Sequence, residues 1–305
     1  MLLGVLFNAE GTFFQWETHR DMLRQVSVYG ILACGMTLVI IAGGIDLSVG
    51  SILGFCAVVF SLCLLHAGMP AFVALCVTVI AGTGCGALAG VAIARFRIQP
   101  FIATLASMVF VRGLAKTVSG GEKVTTALQL PDGTYTYLDE PAMFSTVSSR
   151  VLGDNLAVVT IIMIACALLC WILLAKTRAG RYLYAIGGNE EAARLSGVPV
   201  ARIKLAAYAL SGFLCAIAGI CQAAQEVQGD PEAGATYELS AIAIVVIGGT
   251  SLRGGTGSIG LTMVGVLTIG YLEKILSINA VSEASRLILT GLIIVGAVLL
   301  QQRRR

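Results

Sequence analysis

The sequence predicts an all-α, polytopic membrane protein with about ten transmembrane helices in a single transmembrane domain, residues 1–305. Hydrophobic residues make up 57% of the chain and charged residues only 12%, whereas about 25% charged residues is usual in soluble domains. Apolar blocks of about 17–25 residues recur from end to end, and each could cross a hydrocarbon core of about 30 Å. The blocks lack the alternating pattern of barrel strands, so we expect helices.

The predicted helices follow these blocks in chain order. The first run, residues 1–7, is too short to span a membrane by itself. The total of ten helices includes it as an incomplete helix. One block separates the two polar loops described below. The other blocks cover about residues 26–43, 51–67, 70–95, 100–117, 204–225, 237–251, 257–276 and 284–300.

The helix that begins at Pro70 carries a stripe of small residues. Gly82, Gly86 and Gly90 recur every four residues and therefore lie on one helix face. A face without side chains lets another helix approach closely in a membrane. We therefore predict a packing seam along this face.

The charges of the two long polar loops predict the orientation. Acidic residues outnumber basic ones in the loop at 117–153, whereas the segment at 176–204 is strongly basic. Because Lys and Arg favour the cytoplasmic side, we expect 117–153 to be an extracytoplasmic loop and 176–204 to be a cytoplasmic loop. Arg303, Arg304 and Arg305 then place the C-terminus in the cytoplasm as well.

Two glycine-rich interruptions predict broken or re-entrant helices, near residues 43–51 and 248–257. Each follows an apolar run, and the pattern Gly-Gly-x-x-Leu-x-x-Gly occurs in both. Such paired interruptions in a transporter point to a central site, although a short match in a glycine-rich chain also arises by chance. The candidate hinge and cap residues are Gly43, Gly44, Asp46, Ser48, Gly50, Gly248, Gly249, Gly254 and Gly255.

Asp46 is the charge of greatest interest, because a carboxylate within apolar sequence normally faces protein, water or a helix end. A cap on the following helix is the first interpretation, since the dipole at a helix N-terminus favours negative charge. The alternatives are that Asp46 lines a polar passage or braces moving halves of the protein.

The cytoplasmic loop contains the pattern Glu-Ala-Ala-x-x-x-Gly. Glu191, Ala192 and Ala193 favour a helix, and Gly197 ends it. The pattern alone also fits an ordinary helix and turn. On a cytoplasmic loop of a multi-pass protein, it favours a contact site for a partner.

Several classes of function lack the residues they need. No P-loop pattern occurs, so an ATP-driven process needs a separate ATPase. The chain has only two histidines, and its nine cysteines lie in apolar blocks, which argues against a Ser–His enzyme, a zinc site or a disulfide framework. No metal, no directly bound cofactor and no nucleic acid are expected.

Together these motifs resemble the permease subunits of bacterial ATP-binding-cassette sugar importers, the family of ribose, galactose, xylose, arabinose and autoinducer-2 permeases. The resemblance covers nearly the whole chain. It lies in residues 35–40 running into 43–51, residues 187–197, and residues 237–239 running into 248–255.

The resemblance implies a transport subunit in the bacterial inner membrane, which has no enzymatic activity of its own and passes a monosaccharide or similar polyol-like solute. Glu191, Ala192, Ala193 and Gly197 would form the coupling helix that docks on a cytoplasmic ATPase, which uses ATP and Mg. The other implied partners are a periplasmic sugar-binding protein, a second permease subunit, identical or not, and membrane lipid.

Polarity within apolar sequence suggests residues that line the pathway. Arg112 lies within the apolar block at 100–117. Its side chain either reaches the outer interface or faces the pore and binds sugar hydroxyls. The full set of candidates is Gln99, Thr104, Ser107, Arg112, Gln222, Gln225 and Glu238.

Two other functions remain open from the sequence. A self-sufficient secondary transporter or channel would also use broken helices, but ion-coupled carriers generally need acidic residues within the membrane. Apart from Asp46 and Glu238, the chain offers few. A purely structural membrane subunit is the third alternative.

Overall fold

The computed structural model consists mainly of helices, and in the residues that it describes seven helices are long and apolar enough to cross a membrane. The chain is therefore a mainly helical, multi-pass membrane protein. The structure describes residues 2–129, 133–282, 284–286, 288–289, 291–293 and 296.

The number of long helices is smaller than the predicted ten for three reasons. The first run forms only the short helix Leu2–Leu6, and Tyr237–Ile247 has 11 residues. About half of the predicted block at 284–300, and all of the arginines at 303–305, fall outside the described residues.

The helices of the described residues divide into long and short ones. The long helices are α2 (Trp16–Ile41), α3 (Val49–Ser61, continued by a π-helical turn, Leu62–His66), α4 (Ala71–Phe96), α5 (Pro100–Ser119), α7 (Val158–Lys176), α10 (Val200–Glu226) and α12 (Ile259–Ile278). The short helices are α1 (Leu2–Leu6), α6 (Ala142–Ser148), α8 (Arg178–Gly188), α9 (Glu190–Leu195) and α11 (Tyr237–Ile247), with a 3-10 turn at Thr12–Phe14.

The two predicted polar loops contain structure of their own. In the first, strand β1 (Ala127–Gln129) pairs antiparallel with β2 (Tyr135–Tyr137), and β3 (Arg150–Val151) pairs antiparallel with β4 (Leu156–Ala157). The second contains α8 and α9. Since α7 connects β4 to α8, the loops lie at opposite ends of the bundle, which we call the hairpin end and the basic end.

Helix α2 begins ten residues before the predicted block. Its first turns carry charges, which ion pairs at the hairpin end neutralise: Arg20 lies 3.1 Å from both Glu17 and Asp154. Asp21 pairs with Arg150. The helix therefore continues beyond its apolar part, because these charges have partners.

Helices α2 and α10 form the centre of the bundle, and the predicted glycine seam joins α4 to α10. A Cβ built on Gly86 would lie 2.9 Å from Gly212 Cα, and one on Gly82 would lie 2.9 Å from Gly212 O. Gly90 packs against Leu205, which lies seven residues before Gly212 in α10. The predicted seam is confirmed, and it places Gly212 beside the middle of α4.

Candidate functional site

The first break in the bundle, residues 42–48, separates α2 from α3 and contains a fully buried carboxylate. Asp46 Oδ1 accepts hydrogen bonds from Ser48 N at 3.0 Å and Ser48 Oγ at 2.5 Å. Asp46 Oδ2 accepts one from Ser211 Oγ of α10 at 2.8 Å. Because Ser211 precedes Gly212 of the seam, this carboxylate lies deep in the bundle. It binds Ser48, the residue that precedes α3, rather than the N–H groups of the helix itself, and it joins the break to α10.

The two glycine-rich interruptions meet at the basic end. Gly255 N donates a hydrogen bond to Ile41 O at 3.0 Å, and a Cβ on Gly254 would lie 2.9 Å from Gly43 Cα and 3.0 Å from Gly187 Cα. Both interruptions therefore contact each other and the last turn of α8. No side chain larger than hydrogen fits between these backbones without a shift.

The remaining predicted glycines lie at other contacts. Gly44 lies against the Tyr208 hydroxyl, Gly50 against the Gly234 backbone and Gly248 against α12. Gly249 lies in a turn, with φ of 88°, and no atom lies within 4 Å of a Cβ built on it.

The predicted coupling segment forms α9. The Asn189 side chain caps it by accepting a hydrogen bond from Ala192 N at 2.9 Å. Gly197, with φ of 82°, ends the turn that follows it. Ala193 is buried against Ile186 and Val200, so one face of α9 is attached to the bundle.

The opposite face of α9 is exposed at the basic end. Glu191, Ala192 and Leu195 all point away from the bundle, and Leu195 is 81% exposed. An apolar side chain exposed on a short, solvent-facing helix is typical of a protein contact. The sequence pattern included Glu191 and Ala192 but missed Leu195, which the helical spacing of four residues from Glu191 could have revealed.

Ion pairs fix the first turn of α9. Glu190 lies 2.5 Å from Lys204 Nζ of α10 and 3.0 Å from Arg194. Partial burial raises the pKa of Glu190, but these two cations outweigh it and hold the pKa below its usual value. Glu190 is therefore ionised at neutral pH, and α9 is bound to α10. Neither Lys204 nor its pairing was predicted.

The structure separates the predicted pathway residues into groups. Gln99 is exposed at the basic end, beside a cavity of about 310 Å³ lined by Arg97, Glu190 and Lys204. Thr104 is buried and donates to Ile45 O at 3.1 Å, which supports the first break. Ser107 is half-buried on α5.

Two predicted glutamines lie near the end of α10 instead. Gln222 donates to Glu226 at 2.5 Å, and Gln225 donates to Arg24 O at 3.4 Å. Their amides bind other parts of the chain, and they do not lie beside Arg112 or Glu238 in any contact that the structure shows.

Arg112 and Glu238 both approach the first half of α3, near Gly54 and Gly50, respectively. Arg112 Nη1 donates to Pro231 O and, at 2.8 Å, to Ala233 O, both in the link between α10 and α11. These two hydrogen bonds attach the guanidinium to the link through Nη1, a contact that its position in the sequence did not suggest. A Cβ built on Gly50 would lie 2.8 Å from Glu238 Oε2, so the Glu238 carboxylate lies close to the first turn of α3.

Within the described part of the chain, no group of three or more His, Cys, Asp or Glu side chains could hold a metal ion. The site is therefore defined by broken helices, buried hydrogen bonds and an exposed helix at the basic end. These features are typical of a multi-pass transport subunit.

The comparisons with known proteins assign this class to a family. Residues 20–298 match the family described as "Branched-chain amino acid transport system / permease component". The chain belongs to this family of transport permeases. No solved structure matches the chain significantly.

Curated relatives cover nearly the whole chain. The ribose import permease protein of Haemophilus influenzae is 38% identical over 98% of this chain and 89% of its own length. The ribose import permease protein of Bacillus subtilis is 41% identical over 93% and 84%, respectively. The L-arabinose transport system permease protein of Escherichia coli is 35% identical over 92% and 81%.

Proposed function

We propose that this chain is the membrane-spanning subunit of an ATP-binding-cassette importer that passes a monosaccharide or similar polyol-like solute. The observation that carries the proposal is the 35–41% identity, over more than nine-tenths of the chain, to ribose and arabinose permeases. The exposed face of α9 supports it, because a subunit without its own ATPase needs a contact for one.

The basic end faces the cytoplasm in this proposal, since Lys and Arg concentrate there. The hairpin end then faces outward, and the protein crosses the bacterial inner membrane about ten times, with its C-terminus in the cytoplasm. Exposed apolar faces of the long helices, such as Phe72 and Ile80 of α4, contact lipid.

Each proposed partner has its own surface. The cytoplasmic ATPase, which binds ATP and Mg, docks on Glu191, Ala192 and Leu195, while Ala193 and Gly197 shape the segment from within. A periplasmic sugar-binding protein docks at the hairpin end, and a second permease subunit completes the pathway. The chain itself binds no cofactor, metal or nucleic acid.

The test substitutes the exposed leucine of α9. Leu195→Glu should leave folding intact, because the side chain is 81% exposed. It should lower both ATPase recovery on a tagged permease and ATP-driven uptake of labelled ribose and arabinose into proteoliposomes, each by about tenfold. Leu152→Glu is the matched control for ATPase recovery, because Leu152 is 74% exposed at the opposite end.

The outcomes separate the alternatives. Undiminished ATPase recovery with Leu195→Glu would refute the docking site on α9. Sugar accumulation driven by an ion gradient, without any ATPase, would instead indicate a secondary transporter.

A further inference from the structure

The link between α10 and α11, residues 227–236, runs back into the bundle. We call it the strap. Gly229 exchanges two backbone hydrogen bonds of 2.8 Å with Val124 at the hairpin end and lies against Ala57 of α3. Gly234 lies against Gly50, seven residues earlier in α3. The strap therefore descends about 10 Å along α3, at about 1.5 Å per residue.

Three cations from α5 and its extension hold the strap. Arg112 binds the carbonyls of Pro231 and Ala233. Non-helical carbonyls at membrane depth need internal donors, because lipid provides none. Two ion pairs add to this contact closer to the hairpin end, Lys116–Glu232 at 2.5 Å and Lys123–Asp230 at 2.9 Å.

The strap is bounded by two unusual backbone conformations. Val227 has φ of 52° and Thr236 has φ of 68°. Both side chains are β-branched, and such residues rarely adopt the left-handed region. Strain of this kind persists only where the surroundings enforce it, and it concentrates at clamps and switches. The strap is thus a short segment with a strained joint at each end.

The two faces of the strap differ. One packs on α3, where a Cβ on Gly54 would lie 2.6 Å from Ala233 O and 2.8 Å from Arg112 Nη1. The other exposes Glu232, Ala235 and Thr236. Irregular backbone at membrane depth is tolerated only where protein buries it or where it lines a water-filled cavity. The charge of Glu232 on the exposed face favours an aqueous passage over burial against a second subunit.

We propose that the strap forms the constriction of the solute pathway on the hairpin side, and that Arg112 is the residue that positions it. This inference rests on the proposed function as a sugar importer and adds the part of the chain that closes the outer mouth. Arg112 acts through the backbone carbonyls and not by contact with the solute.

The test measures access to the strap together with transport. Ala235→Cys, in the assembled complex in proteoliposomes, is labelled from outside with a membrane-impermeant maleimide. The one exposed native cysteine among the described residues, Cys76, is replaced by Ser. The labelling rate should change severalfold when ATP and vanadate arrest the complex.

Arg112→Gln should abolish this change and lower ribose uptake about tenfold, whereas Arg112→Lys, which keeps one charged donor, should retain part of both. Gly54→Ala keeps every charge, but its methyl group would displace Ala233 O. It should therefore lower uptake and abolish the labelling change as Arg112→Gln does, and it replaces Arg112→Gln in the test if that variant does not fold. Gly113→Ala is the control, because no atom lies within 4 Å of its built Cβ.

Equal labelling in all states of the wild-type complex, or full uptake by both Arg112→Gln and Gly54→Ala, would overturn the inference. A wild-type complex that takes up no sugar overturns the proposed function instead. In that case, the effect of Arg112→Gln on the labelling rate still decides whether Arg112 positions the strap.

Discussion

The bundle is interrupted twice, and the two breaks are held in different ways. The first break, at residues 42–48, is short, and Asp46 binds Ser48 only two residues later through two hydrogen bonds. Ser211 and Thr104 contribute one hydrogen bond each from other helices. The strap has ten residues, and side chains of another helix hold its carbonyls and acids.

This difference assigns the breaks different mechanical roles. A break that carries its own cap keeps its shape when the neighbouring helices move. A strap held from outside loses its shape when its clamp withdraws. We therefore expect the first break to transmit movement from the basic end and the strap to open and close.

The largest expected effect is on the internal cap of the first break. Asp46→Ala leaves the buried donors of Ser48 and Ser211 without their acceptor, and it should lower the free energy of unfolding by about 3 kcal/mol. Unfolding in mixed detergent micelles measures this. Asp46→Asn retains an oxygen for Ser48 and an amide for Ser211, so it should lose less than about 1 kcal/mol. Equal losses in the two variants would show that the charge, and not the hydrogen bonds, holds the break.

The sequence indicated the first break far better than the strap. The glycine pair and Asp46 lie within four residues of each other, so the local pattern predicts a helix end and a cap. Ser211 lies 165 residues from Asp46, and Arg112 lies 121 residues from Ala233. Backbone carbonyls have no signature in sequence, which is why the partners of Arg112 could not be predicted.

The same limit explains the scatter of the predicted pathway residues. Polarity identified Gln99 and Gln222 as readily as Arg112, but it could not show that Gln222 would pair with Glu226. The glycine seam of α4 was predictable because its spacing alone defines a face. Its partner, Gly212 of α10, could be identified only from the structure.

A smaller effect should follow from filling the junction between the first break and α8. A Cβ on Gly187 would collide with Ile41 O, whereas no atom lies within 4 Å of one on Gly188. Gly187→Ala should therefore lower ATP-driven uptake about tenfold at equal membrane level, and Gly188→Ala should change it less than about twofold. If both variants transport normally, the first break does not transmit movement from α8 and α9, and the contrast with the strap fails.

The smallest expected effect concerns the ion pair at the outer end of the strap. Burial raises the pKa of Asp230, but the hydrogen bond from Lys123 and that from Glu232 N outweigh it, so the pKa lies below its usual value. A lowered pKa in the folded state means that the pair stabilises fully above the unfolded value of about 3.9 and is lost as the pH falls through the lowered value. Because Lys123 is 55% exposed, solvent screens the pair and its contribution to stability should be small.

Asp230→Asn should accordingly reduce the free energy of unfolding by the same small amount at pH 5, 6 and 8, and the difference from wild type should shrink below about pH 4. Glu122→Gln, which removes the acid next to Lys123 in the chain, should have no such effect. A difference that grows as the pH falls from 8 to 5 would contradict the assignment of Asp230 as an ionised partner. Since this pair is weak and Arg112 binds the carbonyls directly, release of the strap depends on Arg112 far more than on its outer ion pairs.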